Sequence, residues 1–337
     1  MAAKLCPVAC LAALILVIGC AAPVPTPLPL PASGSPLTPE WLEYNTRAEA
    51  KGAPILVYAV TAKELLRTKP REPSQITDTF SLDNEEVYVF TKWRAVKGRP
   101  IYHAKIYDPR GLVFHQSEIE YQFALGDWNI WTTLHVKGWP AARLPGRWRA
   151  EIFMDGSLAL TKEFMIGSEM RSYEPRLVSA DAPGIGVHPY FKDAETSYRD
   201  NSTLLPLYIA QMLMVDFPRY RIVTPFELRK DLPRPVAKLD DYGSLVKQEI
   251  QSPASYWNRI IKKHGLGLLI AGKVYDPAFV GEEKEATLYL IGPKAGGVKE
   301  IKASYRSFQR RETVRANLYQ EIYDQMTQQG AELFKLR

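Results

Sequence analysis

"GRWRAEIFMDGSLALTKEFMI", residues 146–166, decides the fold of the first half of the chain. Two runs that alternate apolar and polar residues flank Asp155-Gly156, a dipeptide suited to a two-residue hairpin turn. The alternation places Trp148, Ala150, Ile152 and Met154 on one face and Arg149, Glu151 and Phe153 on the other, as in a half-buried strand. Towards the N-terminus the same grammar recurs. "WNIWTTLHV" (128–136), "EEVYVFTKWRAV" (85–96) and "APILVYAVTA" (53–62) are short runs rich in β-branched and aromatic residues. "IYHAKIYDPRGLVFHQSEIEYQF" (101–123) reads as two strands joined by the turn Asp108-Pro109-Arg110-Gly111. Short strands between turn signals, without a helical stretch, predict a β-sandwich domain over residues 53–168.

Within the hairpin, the pattern W-x-x-E-I-F-x-D-G from Trp148 to Gly156, followed by the strand carrying Glu163-Phe164, resembles the final hairpin of bacterial immunoglobulin-like modules. The resemblance covers some 20 residues. It implies an all-β immunoglobulin-like sandwich and says nothing of function. The antibody-type disulfide is absent, because no cysteine lies in this region. Trp93, Trp128, Trp131, Trp139 and Trp148 have two readings. Large aromatics dominate cores, which favours core or rim positions. A stacking platform for sugars would instead require them exposed on one face.

"GSEMRSYEPRLVSADAP" (167–183) carries no sustained period, and residues 169–183 are assigned as a linker. Beyond it the grammar changes. "GIGVHP" is a short buried strand, and "LLPLYIAQMLMVDF" (204–217) a helix in which Pro206 is tolerated only in the first turn. "RYRIVTP" is the next strand. "TPFELRKDL" opens with Thr224 as N-cap, Pro225 at N1 and Glu227 at N3, a capping box, and "SPASYWNRIIKKHG" repeats the device from Ser252 and Pro253 to Gly265. "LGLLIAGKVYDP" is an apolar strand, and "EATLYLIG" and "VKEIKASYRSF" form a hairpin around "PKAGG". Val314, Leu318, Ile322 and Met326, with Tyr319 and Tyr323, line a closing helix. The order β-α-β-α-α-β-β-β-α predicts an α/β domain with a mixed sheet over residues 184–337. The fold class expected is therefore two domains, an all-β sandwich followed by an α/β domain.

That order, with "GIGVHPYF", "YRIVTPFEL" and "LLIAGKV", resembles a group of envelope proteins that includes the TolB amino-terminal domain, the curli secretion lipoprotein and the penicillin-binding-protein activator lipoproteins. The likeness covers residues 180–335 and rests on element order and two short strands. It implies docking onto other envelope proteins. The membrane-inserting hairpins of the curli pore have no counterpart here, so it does not imply a channel.

The N-terminus begins "MAAK" and continues with "LCPVACLAALILVIG" (5–19), too short an apolar run to span a bilayer comfortably. It reads as a signal peptide over residues 1–19 rather than an uncleaved anchor. Cys6 and Cys10 lie inside it, Cys20 closes it, and no cysteine follows. "VIGC" (17–20) resembles the lipobox of bacterial lipoproteins. The resemblance implies lipidation of Cys20 through its sulfur and its amino group. Several acyl chains on one residue anchor stably, since each buried methylene contributes about 0.8 kcal/mol. Ala21, where retained lipoproteins carry aspartate, implies the outer membrane. Pro23, Pro25, Pro27, Pro29 and Pro31 alternate and favour an extended conformation, and Ser33, Gly34 and Ser35 loosen its end. Residues 20–52 are accordingly assigned as a lipidated, proline-rich tether.

The net charge is +6, or +5 once Lys4 leaves with the leader. A basic envelope protein meets anionic lipids and acidic glycans rather than nucleic acid. No catalytic constellation stands out. His103, His115, His135, His188 and His264 are scattered, and a folded part without cysteine speaks against zinc. "GIG" at 184–186 lacks the remaining glycine of a dinucleotide fingerprint, and "GPKAGG" lacks the Gly-Lys-Ser/Thr ending of a phosphate loop. The reading is non-enzymatic, with no cofactor and no metal.

Candidate partner-binding residues form three groups: Arg229 and Lys230 with Arg234; Arg306, Arg310 and Arg311 with Arg315; and Tyr198 and Arg199 in the loop 190–203. Solvated surface is the default for each basic cluster, whereas convergence would suit an acidic partner or an anionic glycan. The helix bearing Tyr208, Met212 and Met214 is apolar nearly all round, as a central buried helix is, or else turns its methionines to a partner. The function expected is a periplasm-facing outer-membrane lipoprotein that binds or supports an envelope protein assembly. The alternative is a glycan- or small-ligand-binding lipoprotein using the sandwich aromatics.

Overall fold

A computed structural model of the chain describes residues 38–168, 173, 183–189, 192–193, 201–230, 256–275, 283–306 and 312–334. These residues are predominantly β, in three sheets with few helices. Residues 34–337 form one compact unit.

The first element corrects the tether assignment. Residues Pro39–Lys51 form helix α1 rather than extended chain. Thr38 is its N-cap, the Oγ1 accepting from Trp41 N at 3.3 Å, Pro39 opens the first turn, and Gly52 at φ 62° closes it by donating to Ala48 O and Glu49 O. Tyr44 and Ala48 are buried, and Asn45 exchanges hydrogen bonds with both the N and the O of Leu56. The physical reason is that the proline alternation ends at Pro31, and the helix signals begin seven residues later with Thr38-Pro39.

Nine strands follow. β1 (Ile55–Leu65), β2 (Pro73–Ile76), β4 (Glu86–Gly98) and β7 (Ala124–His135) make an antiparallel sheet in the order β2-β1-β4-β7. β3 (Thr79–Phe80), β5 (Ile101–Tyr107), β6 (Val113–Glu120), β8 (Gly146–Met154) and β9 (Ser157–Ile166) make a second, in the order β3-β9-β8-β5-β6. The β8–β9 hairpin turns at Asp155 (φ 50°) and Gly156 (φ 76°), as its dipeptide requires, and Trp148, Ala150, Ile152 and Met154 are all buried. The inward faces of both sheets belong to one buried cluster. At the open side, Ser117 Oγ of β6 and Thr132 Oγ1 of β7 join the sheets at 2.7 Å.

The third sheet comprises β10 (Gly184–Val187), β11 (Lys192–Asp193), β12 (Ile222–Val223), β13 (Leu266–Tyr275), β14 (Glu283–Gly292) and β15 (Gly297–Arg306). Its order is β12-β10-β13-β14-β15, with β11 beside β13. The pairs β10–β12, β10–β13 and β11–β13 are parallel, and β13–β14–β15 antiparallel. The helices are α2 (Asn201–Asp216), α3 (Pro225–Arg229), α4 (Tyr256–Lys263) and α5 (Glu312–Gln329). Strand alternation sends Leu268, Ile270, Leu288 and Leu290 into the cluster shared with α2, α5 and the sandwich. Leu269, Ala271, Tyr289 and Ile291 enter a second cluster, with Leu228, Trp257, Ile260 and Ile261.

Helix α2 begins three residues earlier than its apolar run, so Pro206 falls in the second turn, not the first. Glu227 and Thr224 make the reciprocal capping box that was expected. Ser252 and Pro253 lie outside the described residues. Most of the 169–183 linker does too, but Tyr173 within it donates to Pro145 O at 2.8 Å.

Candidate docking cleft

Helix α2 shows how the sandwich meets the rest of the unit. It is buried on its sheet side through Leu205, Ile209 and Leu213, and equally through Tyr208, Met212 and Met214. The methionine side faces the sandwich within the chain. Arg110, held by the buried Asp108 carboxylate in the β5–β6 turn, donates from Nη1 to Met214 O at 3.0 Å. Arg143 Nη2 meets Asp216 Oδ1 at 2.7 Å and Nη1 lies 3.6 Å from Met212 Sδ. Two sandwich arginines thus sit at the C-terminal end of α2, where free carbonyls favour positive charge. Trp139 packs edge-on against both Tyr208 (5.3 Å, 70°) and Tyr319 (6.0 Å, 87°), which also meet each other at 5.6 Å, with the His135 ring stacked on it at 4.4 Å.

Beside this seam, β6, α2 and α3 border a small, solvent-open cleft with about 20 Å³ of free volume, lined by Phe114, His115, Leu207, Met214, Pro225 and Phe226 among others. The capping box positions Phe226 over the outer face of the second sheet. There His103 lies between Phe226 (5.4 Å, 5°) and Phe153 (5.5 Å, 26°). Arg229 and Lys230 are exposed on the same short helix and its end. Lys230 Nζ stands 4.9 Å over the Phe226 ring and 3.5 Å from Glu118 Oε2. Desolvation holds His103 below the usual imidazole range, with further contributions from neighbours including Lys105 and Lys230. Desolvation, joined by the nearby His135, pushes the His115 imidazole down to about 4, so it stays neutral at physiological pH.

The sequence-predicted residues fall unevenly. Lys230 stands beside the cleft through its contact with Phe226, and Arg229 is exposed at the end of α3. Arg306 ends β15 opposite Glu283, and Arg315 lies in α5. Cys20, Tyr198, Arg199, Arg234, Arg310 and Arg311 lie outside the described residues. Of the five tryptophans, Trp93, Trp148 and Trp139 are core. Trp128 and Trp131 are half-buried on opposite faces of β7, under Tyr121 and Arg71 respectively, so they form no common platform. Phe226 carries no signal in the sequence, and His103 and His115, read there as scattered histidines, gain their meaning from contacts between distant strands and α3. Among the described residues no group of three or more His, Cys, Asp or Glu side chains could hold a metal ion. No described helix is long and apolar enough to cross a membrane.

No family model and no curated protein matches the chain. Among solved structures, it is similar to an immunoglobulin-like protein from Pseudomonas aeruginosa at 14% identity, covering 32% of this chain and 90% of that one with a TM-score of 0.23. An alkylpurine DNA glycosylase from Pseudomonas fluorescens matches at 13% identity over 27% of this chain and 28% of that one, TM-score 0.21. A β-glucosidase from Listeria innocua matches at 14% identity over 34% of this chain and 17% of that one, TM-score 0.22. The chain thus spans less than a third of the glycosylase and of the glucosidase. Likenesses at this level fix neither a fold family nor an activity.

Proposed function

We propose that the chain is a non-enzymatic, periplasm-facing outer-membrane lipoprotein, anchored through acylated Cys20, that docks onto an envelope protein assembly. On this reading an immunoglobulin-like sandwich and an α/β docking domain present the docking surface together. The observation that carries it is the small cleft where β6 meets α2 and α3, with Phe226 in its wall and the exposed Lys230 over the Phe226 ring. Such a site suits an extended partner segment carrying an apolar anchor beside acidic residues. The sugar-binding alternative draws less support, because the tryptophans it needs are buried or divided between faces.

The test is in-cell crosslinking from a photoreactive residue at Gln116, which lines the cleft, in the lipidated protein. One dominant envelope protein should be captured, and Arg229→Glu with Lys230→Gln should abolish the capture, with an unchanged thermal midpoint checking that loss of the Lys230 contacts to Glu118 and Phe226 leaves the fold intact. Capture that survives the double substitution would remove this cleft from the docking reading.

A further inference from the structure

The far end of the sandwich carries an apolar feature that the fold does not use. Phe123 is 91% exposed and Leu125 82%, with Ile101 beside them at 40%. Two such side chains, one just before β7 and one at its start, are costly to leave in water unless something covers them. They are nevertheless held in fixed backbone. Leu125 is in register with Lys97 and Ala124 with Gly98, and Tyr121 N donates to Pro100 O at 3.2 Å. The Tyr121 ring meets Trp128 edge-on at 4.4 Å, bracing the loop from below. β4 reaches this end only after a register shift between Trp93 and Val96, in which Ala95 adopts φ 57°, a conformation unusual for a residue other than glycine. Bulges of this kind re-aim strand ends, here the one that supports Phe123 and Leu125.

The middle of helix α1 packs near this end. The Tyr44 hydroxyl of α1 donates to Pro54 O at the start of β1, and its ring meets Trp93, the cross-strand partner of Trp128. Seventeen residues lie between Cys20 and Thr38, a span that could reach about 60 Å fully extended. Lys97 is in register with Leu125 and Glu120 with Ile101, one charge of each sign, so apolar insertion rather than net charge drives the contact.

We infer that the sandwich end formed by Ile101, Phe123 and Leu125 inserts into the headgroup–acyl boundary of the bilayer to which Cys20 is anchored. The inference rests on the lipoprotein reading and adds to it an orientation: the body lies against the membrane by this end instead of hanging free on its tether. Apolar side chains of this size at an interfacial loop are a recognised means of peripheral attachment.

The test uses the mature lipidated protein in vesicles of phosphatidylethanolamine and phosphatidylglycerol containing a doxyl-labelled quencher lipid. The body has no cysteine of its own. A fluorophore can therefore be placed singly through Phe123→Cys or Leu125→Cys, with Glu163→Cys and Lys302→Cys as exposed controls. The labels at 123 and 125 should show blue-shifted emission and be quenched at least about threefold more than the controls, as expected of side chains at the boundary. Water-like emission at 123 and 125, with the N-terminal peptide mass showing acylated Cys20, overturns the inference. An unacylated Cys20 overturns the anchoring reading alone. The same labels, in a Cys20→Ser background that leaves one thiol, then judge the sandwich end on added vesicles, with quenching supporting insertion and its absence refuting it.

Discussion

Replacing Trp139 by alanine tests whether the sandwich and the third sheet share one core. Trp139 is only 6% exposed and makes edge-on contacts with Tyr208 and Tyr319, which belong to α2 and α5. Truncating a buried aromatic to alanine costs about 3–5 kcal/mol. The two tyrosine contacts alone account for about 1–3 kcal/mol, at about 0.5–1.5 each beyond area. Urea unfolding followed by both tryptophan fluorescence and far-ultraviolet dichroism is the assay. With a slope near 3 kcal/mol/M, the midpoint should fall by about 1–2 M, with both probes moving together in one transition. Trp131→Ala, on the half-buried outer face of β7, should cost no more than about 2 kcal/mol. A loss below about 1 kcal/mol at Trp139, or a split transition in which only one step moves, would refute the shared core.

Two further effects follow from local geometry. His115, pushed down to about 4 by desolvation, remains neutral in the folded state while an unfolded histidine takes up a proton near pH 6.5. Above pH 6.5 the contribution is fully present; between about 6.5 and 4 the unfolded chain binds the extra proton, so stability falls as pH falls. The part due to this side chain is about 1–2 kcal/mol, and His115→Gln should remove that part of the slope measured by urea unfolding at pH 7 and pH 4.5. At Gly292, φ is 135° and an added Cβ would meet Gly267 O at 3.0 Å. Gly156, also at positive φ, has nothing within 4 Å of that position. Gly292→Ala should therefore destabilise the chain more than Gly156→Ala, by at least about 1 kcal/mol, read as a lower thermal midpoint.

The strands of the sandwich were legible because each carries its own alternation and its own turn. Asp155-Gly156 and Asp108 to Gly111 mark reversals that any chain would make there, and Arg149 against Ala150 tells outside from inside without a neighbour. Helix α1 was equally well marked, by Thr38-Pro39 and by Lys51-Gly52, but lay behind a proline run whose extended reading was carried too far. The cleft was not legible. Phe226 reads as an ordinary residue of a capped turn, and only the fold brings it onto His103 and beside β6. Pairings across more than a hundred residues, such as Arg110 with the Met214 carbonyl, leave no local trace in either segment.

The composition of α2 does hold one long-range message. A helix that packs one face on a sheet should be polar on the other, yet Tyr208, Met212 and Met214 are as buried as Leu205, Ile209 and Leu213. The sandwich supplies the missing cover, through Trp139 and the arginines at the helix end. A chain cut to residues 184–337 would expose that side of α2, forgoing about 1.5–3 kcal/mol for each large apolar side chain returned to water. Against a typical stability of about 5–15 kcal/mol, the loss of several such contacts leaves little margin. The fragment should bind a hydrophobic dye, sediment as aggregates and lack a cooperative thermal transition, while the chain from residue 38 onward should show none of these defects. A monomeric fragment that melts cooperatively would show instead that α2 needs no cover, and that the sandwich is an independent companion rather than part of the same core.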